Sequence, residues 1–217
     1  MVDGAQSVHI TGVIFDYGRV LACTQHQGPR AAWERRLGLA PGALTRAVHN
    51  EHSWVAAQRG AITVDTHWQE VGTALGLAAA DTAALRAAFY AGDILNAELV
   101  ACIDRLRTLG LRVALLSNFS ADLRAMLTQQ DLLRRFDALA ISAELGIMKP
   151  DAAAYRAVLA MLGMEPHTCI FIDDVPANVE AAQAVGIYGI IFEDNPSCLA
   201  ALTRLLGTSR KRIFHLE

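Results

Sequence analysis

Val13-Ile14-Phe15-Asp16-Tyr17-Gly18-Arg19-Val20-Leu21 is the stretch from which the fold is read. Val13, Ile14 and Phe15 are β-branched or aromatic and favour a strand; the run then stops at a carboxylate, and Tyr17 and Gly18 turn the chain. An apolar run without alternation marks a strand buried on both faces, as in a parallel sheet. Open parallel sheets collect their ligands at the carboxyl ends of the strands, which is where Asp16 falls. A lone Asp after a strand is most often a turn or cap residue, so the reading depends on whether other strands end in the same way.

Three do. Arg112 to Leu116 reads as a strand ending in Ser117 and Asn118, Ala138 to Ile141 as a short strand leading to a loop with Lys149, and Cys169 to Ile172 as a strand ending in Asp173 and Asp174. Helical patterns separate them. Leu99, Ile103, Leu106 and Leu109 mark one helix face stopped by Gly110. Ala121 to Gln129 is helical, with a further turn at Leu132 to Phe136. Pro150 and Asp151 open a helix that Gly163 stops, Pro176 to Val185 forms another, and Tyr188 to Phe192 is a last strand. Strands alternating with helices predict a parallel sheet with right-handed crossovers. His9 to Phe15 is its first strand.

Residues 22 to 95 follow another pattern, helices without strands. Pro29 to Leu37 closes at Gly38, and Pro41 and Gly42 open a second helix through Leu44 and Val48. Ser53 to Gln58 is ended by Gly60. Thr63 caps a helix carrying Trp68, Val71 and Leu75 that Gly76 closes, and Asp81 begins another that reaches Tyr90. This helical block is inserted directly after the first strand.

Composition sets the class. With 217 residues, 53% of them hydrophobic and 19% charged, the chain suits one domain, or a core carrying a smaller insert. A net charge of −3 without a long basic run argues against a nucleic-acid surface, and no apolar run reaches the length of a membrane span. Residues 1 to 8 show no secretory signal, so a cytoplasmic location is expected, and a homodimer is allowed for. Cys23, Cys102, Cys169 and Cys198 are widely spaced and read as free thiols, Cys23 close enough to Asp16 to line a site but more simply a packing residue. The short basic tail Arg210-Lys211-Arg212 reads as a solvated terminus.

Crossover topology brings Asp16, Ser117-Asn118, Lys149 and Asp173-Asp174 to one sheet edge. Three carboxylates around one point repel each other, and oxygen ligands of this kind suit Mg²⁺, which takes one or two carboxylates together with substrate phosphate and water. Lys149 adds fixed positive charge, and Ser117 with backbone N–H groups offers donors to phosphate oxygens. The chemistry is that of an oxyanion ester met by a carboxylate nucleophile.

In order, Phe15-Asp16-Tyr17-Gly18-Arg19-Val20-Leu21, Leu116-Ser117-Asn118, Gly146-Ile147-Met148-Lys149-Pro150-Asp151 and Phe171-Ile172-Asp173-Asp174-Val175-Pro176-Ala177-Asn178-Val179-Glu180 resemble the four motifs of the haloacid dehalogenase superfamily. Arg59-Gly60-Ala61-Ile62-Thr63 with Trp68 is similar to the cap sequence of its phosphatase-like members. The resemblance spans essentially the whole chain. It implies an α/β fold: a Rossmann-like parallel sheet with helices on both faces in a core of residues 1–21 and 96–217, plus an inserted helical cap at 22–95. It further implies a Mg²⁺-dependent phosphatase of a small phosphorylated metabolite. Asp16 would be the nucleophile that becomes an aspartyl-phosphate. Asp16, Asp174 and the Gly18 carbonyl would hold the cation, and Asp173 would assist it or orient Lys149. Ser117 and the Asn118 N–H would hold the phosphoryl oxygens, with Tyr17, Gly18 and Arg19 beside the substrate.

One departure matters. Phosphatases of this family usually carry a second Asp two residues after the nucleophile, which protonates the leaving oxygen and later activates water; Gly18 does neither, although some members with Gly at this position resemble sugar-phosphate phosphatases. A substrate with a good leaving group, a cap side chain or water replacing the acid, or a weakened ligand-binding protein would each account for this. The dehalogenases also lack that Asp, but their tyrosine is spaced one residue further from the nucleophile and they need no metal. Arg19 would grip a second phosphate or carboxylate, or pair with a cap carboxylate. Asn178 is expected to settle its loop. The polar cap cluster His49-Asn50-Glu51-His52 with Trp54 would face either substrate or solvent, and His49 and His52, at i and i+3, would be a metal pair only with further ligands.

Overall fold

The computed structural model describes residues 9–207. The chain runs from β1 (Gly12–Phe15) through β2 (Ala22–Thr24) into five helices, α1 (Gly28–Arg36), α2 (Ala43–Val48), α3 (Ser53–Gln58), α4 (Val64–Ala74) and α5 (Ala79–Tyr90). It returns through β3 (Asp93–Leu95) to α6 (Ala97–Thr108), β4 (Arg112–Ser117), α7 (Leu123–Gln129), β5 (Ala138–Ile141) and the single turn α8 (Ser142–Leu145). Then follow α9 (Ala152–Leu162), β6 (Cys169–Asp173), α10 (Pro176–Val185), β7 (Tyr188–Ile191) and α11 (Asn195–Leu206).

Five strands form one parallel sheet in the order β5-β4-β1-β6-β7, with β1 in the middle. Phe15 is in register with Leu115 on one side and Ile172 on the other, so Asp16, Ser117 and Asp173 emerge from the same edge. Alternation along β1 divides the core between two layers. Val13 and Phe15 pack with Leu99, Ile103 and Leu106 of α6 and Leu202 of α11. Ile14 faces the other way, against Tyr155, Val158 and Leu159 of α9 and Ala182 of α10. Both faces are covered, which is why the strand shows no polar alternation.

The insert has a separate apolar cluster of Trp33, Leu44, Val48, Trp68, Val71, Leu85 and Phe89. Among its helix starts α4 has a side-chain cap, Thr63 accepting from the Thr66 N–H, and Asn50 accepts from the His52 and Ser53 N–H groups in the turn that leads into α3. One expectation is corrected here. The segment is not free of strands, because β2 and β3 pair antiparallel at its two ends, Cys23 opposite Ile94. Three-residue strands joined across five helices carry too little periodicity to be seen.

Smaller differences have local causes. Pro150 lies before α9 rather than in its first turn; Asp151 is the N-cap, accepting from the Ala153 N–H at 2.8 Å. The C-terminal helix α11, not anticipated from the pattern, starts where Asp194 accepts from the Ser197 N–H, with Pro196 in the first turn. The four cysteines are free. Among the described residues no helix is long and apolar enough to cross a membrane. The first eight residues and the basic tail lie outside the described residues.

Candidate active site

Asp16, Ser117 and Asp173 leave the sheet at strand ends, Lys149 comes from the loop after α8, and the surrounding loops fix their direction. Asp16 follows β1, its backbone N–H donating to Ile172 O at 2.9 Å. The turn behind it is tight: the Leu21 and Ala22 N–H groups both donate to Tyr17 O, and the Arg19 N–H donates to Ala22 O at 2.7 Å. Arg19 adopts φ 60°, a left-handed conformation uncommon outside glycine. Gly18 has an ordinary backbone and open space around the position of a Cβ.

Lys149 stands at the centre. Its Nζ lies 2.6 Å from Asp173 Oδ2 and 2.8 Å from Asp16 Oδ1, and its side chain is only 1% exposed, so one ammonium ion is shared by two buried carboxylates. Burial works to lower the Lys149 ammonium pKa, but Asp16 and Asp173 outweigh it and hold the value above the usual lysine range. Asp16 is pushed up by burial, pulled back by Lys149, and raised again by the neighbouring Asp173 charge; a Ser117 hydrogen bond gives slight relief. Asp173 is fully engaged. Besides Lys149 it accepts from the Val175 N–H at 2.8 Å and from Asn178 Nδ2 at 3.0 and 3.1 Å. Asn178 is itself held, since its carbonyl accepts from the Tyr155 hydroxyl at 2.7 Å.

Asp174, next along the loop, pairs with Arg19, whose Nε lies 3.0 Å from Asp174 Oδ2. Asp16, Asp173 and Asp174 each present an oxygen within 4.8 Å of the other two. Three carboxylates, a lysine committed to two of them and all-oxygen donors fit a hard divalent cation such as Mg²⁺. His49 and His52 join no group of three potential ligands among the described residues. His49 packs on the Trp54 and Phe89 rings instead.

The structure thus brings Asp16, Ser117, Lys149, Asp173, Asp174 and Arg19 to one point. Tyr17 is buried with its hydroxyl donating to Gln130 and its ring edge-on to Phe119. Among the described residues Arg19 pairs with Asp174 and not with a cap carboxylate, so the expected cap pairing is corrected: its partner belongs to the fourth motif, which folds back over the first turn. Asn118 has a side-chain task not visible in the sequence. Its Nδ2 donates to Lys149 O at 2.9 Å and its Oδ1 accepts from the Lys149 N–H at 2.8 Å. Gln58, at the end of α3, reaches from the insert to donate to Asn118 O at 2.7 Å, and Trp54 meets Phe119 edge-on at 5.5 Å. No local signal in the sequence marks Gln58.

Comparison with known proteins agrees with this geometry. The chain is 31% identical over 162 residues to a sesquiterpene phosphatase of Aspergillus oryzae, covering 73% of this chain and 81% of that protein. It spans about a quarter or less of the length of several longer relatives that it also matches. A HAD-like family hydrolase from Porphyromonas gingivalis superposes with a TM-score of 0.74 at 24% identity, covering 91% of this chain and 98% of that one. A HAD family enzyme from Bacteroides thetaiotaomicron, solved with magnesium and inorganic phosphate, superposes with a TM-score of 0.72 at 19% identity, covering 88% and 98%. At such identities these two likenesses bear on the fold. Residues 10–186 match the family described as haloacid dehalogenase-like hydrolase, so the four strand-end motifs and the sheet that assembles them place this chain in that family of hydrolases.

Proposed function

We propose that the protein is a Mg²⁺-dependent phosphatase acting on a small phosphorylated metabolite through an aspartyl-phosphate on Asp16. The observation that carries this reading is the Asp16–Lys149–Asp173 cluster with Asp174 beside it: three carboxylates converge on one point, and one buried ammonium pairs with two of them. Names among its relatives, a sesquiterpene phosphatase above all, support a phosphate ester.

In this mechanism Asp16, Asp174 and the Gly18 carbonyl would hold the cation. When bound, it supplies charge that keeps Asp16 ionised and draws electron density from the phosphoryl oxygens. Asp16 attacks phosphorus, the ester oxygen departs with the bonding electrons, and an acyl phosphate remains on Asp16. Water then attacks phosphorus and releases phosphate and the free carboxylate. Lys149 balances the charge of the nucleophile and the phosphoryl group, while Ser117 and the Asn118 N–H donate to the oxygens as they gain charge. Asp173 orients Lys149. Gly18 supplies no proton to the leaving oxygen, so the reading favours esters whose leaving group needs little help.

The test is phosphate release from a panel of phosphorylated metabolites with and without Mg²⁺, with Asp16→Asn as control. Release that needs both Mg²⁺ and Asp16 is the expected result. The missing acid at Gly18 favours one second reading, a catalytically weakened ligand-binding protein, and silence across the panel with Mg²⁺ present would support it. Halide release unaffected by chelator would instead indicate a dehalogenase.

A further inference from the structure

Lys149 is shared by Asp16 and Asp173, which leaves the third carboxylate of the cluster to another cation. Among the described residues, the ion-pair partner of Asp174 is Arg19. This pair is unlike the Lys149 pairs. The Arg19 side chain is 83% exposed and the Asp174 side chain 14%. Arg19 is therefore fixed at its two ends and loose between them. Its backbone is pinned in the left-handed conformation by the bond to Ala22 O, and its guanidinium is held by Asp174, while its stem packs against little.

We propose that Arg19 is a built-in competitor for the divalent cation: its guanidinium occupies Asp174 until the cation displaces it. The proposal rests on the reading of Asp16, Asp173 and Asp174 as the cation site. A guanidinium and a divalent cation drawn to one carboxylate repel each other at short range. The side chain that gives way is the exposed one, since its guanidinium is already largely in water and its departure uncovers little apolar surface. In the cation-free protein the guanidinium offsets the Asp174 charge beside Asp16 and Asp173. Cation binding then carries the cost of removing it, which raises the concentration at which the site fills. Arginine remains charged at any physiological pH, so the competitor itself does not titrate, and the competition is sensitive to ionic strength.

The experiment is calorimetric titration of Mg²⁺ into the chelator-treated full chain and four variants. Arg19→Gln removes the charge and keeps a side chain in the left-handed position; Arg19→Gly removes charge and backbone strain together; Arg19→Lys keeps the charge. Arg59→Gln removes an exposed charge beside the Lys149 loop that makes no ion pair with the three carboxylates, and sets the background. Arg19→Gln and Arg19→Gly are expected to tighten Mg²⁺ binding about 2–5-fold, the range that an exposed ion pair commands. Arg19→Lys and Arg59→Gln should stay close to the parent, and the gap should narrow at high salt.

An unchanged or weaker Kd in Arg19→Gln would overturn the proposal while leaving the cation site standing. Tightening in Arg19→Gly alone would overturn it in favour of backbone strain, and equal tightening in Arg59→Gln would overturn it in favour of the general field. Absence of Mg²⁺ binding in every chain would overturn both the proposal and the metal reading on which it rests.

Discussion

Asn118 grips the backbone of Lys149 at two points, donating to its carbonyl and accepting from its N–H at 2.9 and 2.8 Å. The ammonium that balances Asp16 is thus placed by an amide from the neighbouring strand end. Asn118→Ala leaves the Lys149 N–H without its partner and lets the loop drift. Misplacement of about 1 Å can cost about 10²-fold. We expect kcat to fall roughly 10–100-fold with KM and Mg²⁺ affinity little changed, as read from steady-state kinetics and calorimetry.

Gly18 sits where the family's phosphatases have their acid, and a Cβ placed there meets no atom within 4 Å. Gly18→Asp should therefore be accommodated. General acid catalysis is typically worth about 10²–10⁴ in rate. The expected outcome is a larger gain for alkyl phosphates than for aryl phosphates, which leave without help. An equal or negative effect on both would remove Gly18 as the limit on turnover.

Asp16 and Asp173 should separate in stability measurements. Burial, only partly offset by Lys149, raises the Asp16 carboxyl, and the charge of Asp173 raises it further. A folded-state pKa above the unfolded one means that this group's contribution is full below about pH 4 and is lost as pH rises through the folded value. At neutral pH the ionised Asp16 is thus a cost. Asp16→Asn should abolish turnover yet raise the melting temperature by about 2–4 °C, corresponding to about 1 kcal/mol in a chain of this size. Asp173→Asn, which breaks contacts to Lys149, Asn178 and Val175, should lower it.

His67 gives the insert an acid sensitivity of opposite sign. Its side chain is buried, Nδ1 lies 2.8 Å from Ser53 Oγ, and Nε2 has no partner. Burial, then the charges of His49 and Arg86, lowers its pKa to about 4. Below about pH 6.5 the unfolded chain takes up a proton that the folded chain refuses. Stability should therefore fall as pH is lowered from about 6.5 to about 4, by up to roughly 3 kcal/mol, and level off below. Urea unfolding across this range should show the slope in the parent and lose it in His67→Gln; an identical slope in both would refute the assignment.

What could be read from the amino acids divides along a physical line. The run Val13–Phe15, the strand-end residues and the helix starts at Thr63 and Pro176 are local signals, and the parallel sheet follows from their order. Asp194 with Pro196 is an equally local signal, a cap and a first-turn proline, for α11. Contacts between distant side chains are another matter. Tyr17 meets Gln130 across 113 residues and Gln58 meets Asn118 across 60, and neither pair leaves a trace in spacing or composition. Arg19 was legible as a charge beside an anionic centre. That Asp174 is its partner depends on how two loops from different strands fold over each other.

The ribbon of β2 and β3 has a consequence for how the molecule works. The chain leaves the core and returns to it through two strands hydrogen-bonded side by side, tied at one end by Thr24 and Arg30 to Asp93. The helical block therefore hangs from the sheet like a door from a single jamb. Away from that line the block meets the core through Gln58 on Asn118, Trp54 on Phe119 and Arg86 on Asp122, contacts that involve neither Asp16 nor Asp173. The surface that the insert turns toward the strand ends can thus change with the sequence of the door, while the residues of the sheet behind it stay the same.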